Sequence, residues 1–388
     1  MNSRARSPSD AYDVALIALS ARALARSARR AGLRAIALDL FADADTSEHA
    51  VKAVRVRAAR RSLGFDPRAL SIALEENVPK GLPVVLGAGF EHAPRMMSAL
   101  RARNPLIGAA PATVRLLKDP VRFATLLAEL GVPHPELVAA AGEQILSKRR
   151  GGAGGAHIRT AEGRLPGRGR YFQKQVNGRP VSALFLSDGR RAEVVGFSEQ
   201  WADPTPSAPF RYGGAVGPIA LDAAVAGRVG AALSRIVAAT GLVGLASADL
   251  LVSDADAAFW LLEINPRPGA TLDVFDRAPS PALLGLHLAA CEGALPSASF
   301  DFPCAQAAGV VYAEAPTSVA SLRRPVWTAD WPACEDSVPA GAPLCTVIAA
   351  GGSPSAARAL FFERRASLLA SLRAAIPRAC GQLTMVSG

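Results

Sequence analysis

Residues 248–277 contain two short apolar runs separated by an acidic turn, and oxygen-bearing side chains gather at their ends. Residues 250–252 and 259–264 read as buried strands with 253–256 as the turn between them, since short apolar runs flanked by Ser and Asp favour extended chain. The resulting hairpin delivers Asp249, Glu263, Asn265 and Arg267 to one patch. Two carboxylates and a carboxamide oxygen are hard ligands that suit Mg²⁺, which takes its remaining ligands from water and phosphate. Arg267 beside them offers phosphate oxygens a planar fork that lysine lacks. The competing reading is a hairpin whose polar ends simply meet solvent. It is weakened by the way Glu263, Asn265 and Arg267 close an apolar strand.

The 388 residues allow two or three domains, and a composition half hydrophobic and one fifth charged is that of an ordinary globular chain. No uncharged apolar run reaches 18 residues, so a membrane-spanning helix is not expected. Residues 1–13 lack an apolar signal core and read as a short tail. Cys291, Cys304, Cys334, Cys345 and Cys380 have no paired spacing, which implies reduced thiols in a cytoplasmic protein. The net charge of +10 raises nucleic-acid binding as a rival function. Yet the basic residues are spread along expected helices over 21–34 and 51–61, without interleaved aromatics, and read as solvated faces. Nucleic acid is therefore disfavoured as a partner, while a basic surface suits small anionic substrates.

The N-terminal part reads as an α/β unit: strand 14–19, helix 21–31 ended by Gly32, strand 35–40, and strand 83–86 before a tight turn at 87–91. The turn at 19–22 has no glycine, so a dinucleotide cannot approach its backbone as NAD and FAD require. A helix-rich stretch, 113–130, stops at the proline-rich 131–135. Strand 145–148 then ends in Lys148 and opens into a loop holding Gly151, Gly152, Gly154 and Gly155. Successive N–H groups without side chains can approach phosphates closely, and a lysine adds a compact charge. A flexible linker is the alternative reading of those glycines. Strands follow at 171–176, 181–186 and 193–200, then a loop at 211–218 and an amphipathic helix at 221–241. Beyond about residue 302 come short strands at 309–313, 325–328 and 343–349, a small β core around Trp327 and Trp331, and a closing helix at 354–375.

Asp249 followed by the Glu263-to-Arg267 run resembles the metal-binding signature of the ATP-grasp ligases. The likeness covers most of the chain, with gaps. It implies an α/β and α+β architecture: a Rossmann-like domain over 1–110, an ATP-grasp domain over 111–300 with a lid at about 135–175, and a β-rich C-terminal domain over 301–388. It also implies ATP and one or two Mg²⁺ ions as cofactors, with Mn²⁺ as a possible substitute. Within that resemblance Lys118 and Lys148 would reach the nucleotide phosphates, and the glycine loop would cradle them. Residues Gln173, Lys174, Gln175 and Val176 would form the hinge that reads adenine through its backbone. Asp249, Glu263 and Asn265 would hold the metal, and Arg267 would steady the transferring group. Residues 87–91 and 211–218 would lie near the acceptor substrate. Two departures stand out: Lys148-Arg149 replaces the usual Lys-Pro, and glutamines stand where a ribose-binding glutamate is usual.

The longer phrase from Asn265 to Asp273 resembles a branch of predicted carboligases that includes tyramine– or tyrosine–glutamate ligases of methanofuran and methylofuran biosynthesis. The implied reaction joins a small carboxylate to an amine through an acyl phosphate. It forms an amide, with glutamate as the implied acid, in a protein able to form homo-oligomers. Phosphorylation of bicarbonate in the manner of biotin carboxylase is the runner-up, and a non-catalytic nucleotide- or nucleic-acid-binding protein is the third reading.

Overall fold

The computed structural model describes residues 11–59, 64–161, 167–297, 299–320, 322–333 and 337–375. Cys334, Cys380 and the first ten residues of the expected tail lie outside them. The first unit runs β1 (Val14–Ile17), α1 (Arg22–Arg30), β2 (Ala35–Asp39), α2 (Ala44–His49), β3 (Lys52–Arg55), α3 (Pro67–Asn77), β4 (Val84–Leu86) and α4 (Pro94–Arg103). Its four strands form a parallel sheet in the order β3-β2-β1-β4. Every residue of β1, β2 and β4 is buried, as a parallel sheet covered on both faces demands.

Next come α5 (Pro111–Lys118) and α6 (Pro120–Glu129), which lead into β5 (Leu137–Val138), β6 (Ile145–Arg149), β7 (Arg159–Thr160) and β8 (Arg170–Lys174). These strands make a small antiparallel sheet ordered β5-β8-β6-β7. The central part comprises β9 (Arg179–Asp188), β10 (Ala192–Ala202), β11 (Tyr212–Gly217), α7 (Ala223–Thr240), β12 (Val243–Val252), β13 (Phe259–Asn265), α8 (Leu272–Phe275) and α9 (Leu283–Cys291). The chain continues through β14 (Ala305–Tyr312), β15 (Thr317–Ser318), β16 (Thr328–Ala329), β17 (Ser337–Val338), β18 (Pro343–Gly351) and α10 (Pro354–Ala375). One eight-stranded sheet, β13-β12-β9-β10-β11-β14-β18-β16, carries both the central and the C-terminal strands. Asp222 caps α7 by accepting from the N–H groups of Ala224 and Val225, and left-handed Gly241 ends it. By length and composition α7 could cross a membrane, but its stripe of Val225, Val229, Leu233 and Ile236 is buried within the protein.

Five local readings change. Residues 51–61 were expected as helix, whereas 52–55 form β3, paired in parallel with β2 from Ile36↔Lys52 to Asp39↔Arg55. Residues 211–218 were expected as loop, yet 212–217 are β11. Their glycines mark close packing rather than a turn: a Cβ at Gly213 would meet the Trp201 indole at 2.7 Å, and one at Gly214 the Ala308 carbonyl at 2.7 Å. The strand at 250–252 begins at Val243, and that at 325–328 shrinks to Thr328–Ala329. The basic face of α1 is only partly solvated. Arg22 is 2% exposed and pairs with Asp273 at 2.5 Å and Asp330 at 2.8 Å, while Arg30 reaches Asp276 at 2.5 Å. Trp331 is buried with Val311, Val347 and Phe361, and Trp327 packs on them, giving the expected small β core.

Candidate active site

Asp249 and Glu263 face each other across the β12–β13 ladder, and Ser247 faces Asn265, with a bulge just after Asp249. Alternate residues of a strand share a face, so Glu263 and Asn265 project together toward Asp249. Asn265 Nδ2 donates to Asp249 Oδ2 at 3.0 Å, and Gln200 Nε2, from β10, donates to Asp249 Oδ1 at 3.1 Å. Two opposed carboxylates repel, and Lys118 answers part of that charge. Its Nζ donates to Glu263 Oε2 at 3.1 Å and to Asn265 Oδ1 at 2.8 Å. Lys118 can reach there because α5 stops at it: Asp119 caps the next helix, accepting from Val121 and Arg122, with Pro120 at the first helical position.

The electrostatics follow. Burial, reinforced by Glu263, pushes the Asp249 carboxyl up to about 6. Burial also pushes Glu263 upward, but Lys118 and Lys148 outweigh it and hold that carboxyl below its ordinary value. Burial pulls the Lys148 ammonium down against the opposing pull of Glu263 and Asp249. The donor set fits Mg²⁺: two carboxylates and an amide oxygen, all hard ligands, with a cationic group already drawn to two of them.

These residues sit on the wall of a cavity of about 560 Å³ between the small antiparallel sheet and the large one. All fourteen residues singled out in the sequence line it. They are the lysines at 118, 148 and 174, the four glycines of the loop, Gln173, Gln175, Val176, Asp249, Glu263, Asn265 and Arg267. Lys148 lies at the end of β6 and is 8% exposed. The loop docks on its surroundings: the Tyr212 N–H donates to the Gly154 carbonyl at 2.9 Å, and the His157 ring packs where a Cβ of Gly152 would lie. His157 is pushed down to about 4 by burial and is neutral at pH 7. At the hinge, Gln173 Nε2 donates to the Pro135 carbonyl at 3.2 Å, so that side chain is already engaged. The N–H groups of Lys174 and Gln175 donate to Glu136 and Gln144, whereas that of Val176 has no partner among the described residues. Lys174 Nζ itself pairs with Glu136 at 2.5 Å. Leu137, Leu146, Leu251 and Leu261 supply apolar walls beside this edge, which suits a flat heterocycle.

Arg267 forms its ion pair with Glu91 rather than with Asp249 or Glu263. Its Nε donates to Glu91 Oε1 at 2.7 Å, joining the bend after β13 to the turn after β4. Burial pushes Glu91 upward, but Arg267 and Lys118 overcome it and bring the carboxyl down to about 2. The expected stretch 87–91 thus reaches the site through Glu91. The cavity is also lined by Gln200, which the sequence reading missed, by Tyr171 of the expected hinge run and by Tyr212 of the expected stretch 211–218. Gln200 belongs to no motif and arrives on β10, 49 positions from Asp249.

Residues 117–271 match the family model described as the ATP-grasp domain. Among curated proteins, the large chain of carbamoyl phosphate synthase from Deinococcus radiodurans is 28% identical over 236 residues, which is 53% of this chain and 22% of the relative. The chain therefore spans about a fifth of that relative's length. Among solved structures, a biotin carboxylase in complex with β,γ-ATP from Campylobacter jejuni has a TM-score of 0.70 at 18% identity, covering 90% of each chain. Phosphoribosylamine–glycine ligase from Thermotoga maritima gives 0.66 at 14%, covering 92% of this chain and 96% of the other. The chain thus has the mixed α/β ATP-grasp fold of biotin carboxylase-like structures, and its residues 117–271 are similar to the ATP-grasp domain.

Proposed function

We propose that this protein is an ATP-dependent ligase that joins a carboxylate to an amine through an acyl phosphate. The observation that carries the reading is the convergence, on one cavity, of the glycine loop, two buried lysines, an apolar-walled hinge and the Asp249–Glu263 pair. Lys148 and the loop N–H groups would hold the phosphates, Val176 the adenine edge, and Lys118 the γ-phosphate side of the carboxylate pair. Asp249, Glu263 and Asn265 would hold Mg²⁺, which when bound neutralises charge on the phosphate oxygens. A substrate carboxylate oxygen attacks the γ-phosphorus and ADP leaves. The amine nitrogen then attacks the acyl carbon, loses a proton, and phosphate leaves. Arg267 would steady the phosphoryl oxygens during the first step. No side chain has to act as a covalent nucleophile.

Glutamate is the proposed acid, with tyramine or tyrosine as the amine, as the carboligase resemblance implies. Mg²⁺-dependent ADP release that needs both L-glutamate and the amine is the expected result. Release with bicarbonate and biotin instead would establish the second reading, which the likeness to biotin carboxylase favours. Glu263→Gln is expected to lower turnover by at least about a thousandfold while leaving the thermal midpoint within a few degrees. Turnover like wild type in that variant would remove the metal assignment.

A further inference from the structure

Glu91 is 6% exposed and comes from the parallel-sheet unit, 176 residues before its partner Arg267. Both of its carboxylate oxygens are used: Oε1 accepts from Arg267 Nε at 2.7 Å, and Oε2 from the Gly89 N–H at 2.7 Å. The second bond fixes the carboxylate in its own turn, so the first fixes the guanidinium. A second constraint comes from Gly269, where a Cβ would strike Arg267 Nη1. A small apolar cavity of about 20 Å³ lies behind the pair, lined by Phe90, Pro266, Pro268 and His287, with room for about one water. The arginine is thus held at its edge. Its Nη1 and Nη2 have no protein acceptor among the described residues, and the side chain lines the large cavity.

We propose that Glu91 is a positioning residue: by engaging Arg267 only through Nε, it presents both terminal amines as a fork to the oxygens of the transferring phosphoryl group. Glu91 touches no substrate itself. A bidentate fork gains its strength from orientation, and an arginine free to swing loses that advantage even though it keeps its charge. The parallel-sheet unit therefore contributes to phosphoryl transfer without contacting ATP. The inference rests on the ligase reading given above.

The test uses ligands that need neither acid nor amine. MgADP binds the ground-state site, and MgADP with aluminium fluoride mimics the phosphoryl group in transit. Trp201, on the cavity wall, supplies a fluorescence signal for both. In Glu91→Ala we expect MgADP affinity within about threefold of wild type and fluoride-complex affinity lower by about tenfold or more. Glu91→Gln, which keeps an acceptor oxygen, should recover part of that loss, and it serves as the test if the alanine variant does not fold. In an Arg267→Ala background, Glu91→Ala should cost less than about twofold more, because a residue acting through another adds nothing once that other is gone. Fluoride-complex affinity unchanged in the Glu91 variants, or losses that simply multiply in the double variant, would overturn the proposal while leaving the ATP site intact. A wild-type protein that binds no MgADP, or gains nothing from aluminium fluoride, would overturn the ligase reading and this inference with it.

Discussion

Gly155 lies at φ +71°, and a Cβ there would come within 2.9 Å of the Phe210 carbonyl carbon. Left-handed backbone costs a side chain about 1–2 kcal/mol, and here the loop must also withdraw from Phe210. Gly155→Ala should therefore weaken MgADP binding by roughly tenfold or more, as read by calorimetric titration. Unchanged affinity would show that the loop does not hold phosphate. The glycines themselves were legible because four in five positions after a strand-ending lysine make a pattern. Asp249 and Glu263 were legible for a similar reason: one local hairpin places both, and its geometry follows from alternation along short strands. Gln200, and the pairing of Glu91 with Arg267, were not. Each touches the site only because topology folds back over a large sequence separation, and a single sequence does not display that.

At the scale of elements, a carboxylate-rich seam joins α1 and α2 to α8 and to the turn after β16. Arg22 pairs with Asp273 and Asp330, and the Asp45 carboxylate accepts from the N–H groups of Asp330 and Trp331. Asp43 is 5% exposed beside this seam. Burial, with Asp330, Asp39 and Asp45 adding repulsion, pushes its carboxyl from 3.8 up to about 9, so it stays protonated in the fold at pH 7. Between about pH 4 and about 9 the unfolded chain then binds fewer protons than the native one, and stability falls as pH rises. Asp43→Asn, neutral at every pH, should flatten that slope in urea unfolding measured from pH 5 to 8. An unaltered slope would mean that Asp43 is ionised in the native protein. The seam also explains why charge patterning misled. The arginines of α1 look solvated in the sequence, and their acidic partners lie some 250 to 310 positions away.

Across the whole molecule, the β11–β14 pairing, Gly214↔Gly309 to Gly217↔Gln306, makes the C-terminal strands part of the sheet that carries the site. A chain cut after residue 303 would leave β11 an open edge and expose apolar surface now covered by β14, β18 and α10. Such edges template aggregation. The truncated protein should form soluble aggregates by size-exclusion chromatography, and a monodisperse species that binds MgADP would refute this. Composition had suggested a separate β-rich part after residue 302, because short strands and turns replace long elements there. Which sheet those strands join depends on pairing partners that strand length does not specify. The bond from the Tyr212 N–H to the Gly154 carbonyl acquires a consequence from this continuity. On the proposed function, a loop over the phosphates would release spent nucleotide only by parting from a strand embedded in eight. At about 1 kcal/mol for such a bond, the dwell time of ADP would be set partly by the stiffness of the sheet that also carries Asp249 and Glu263.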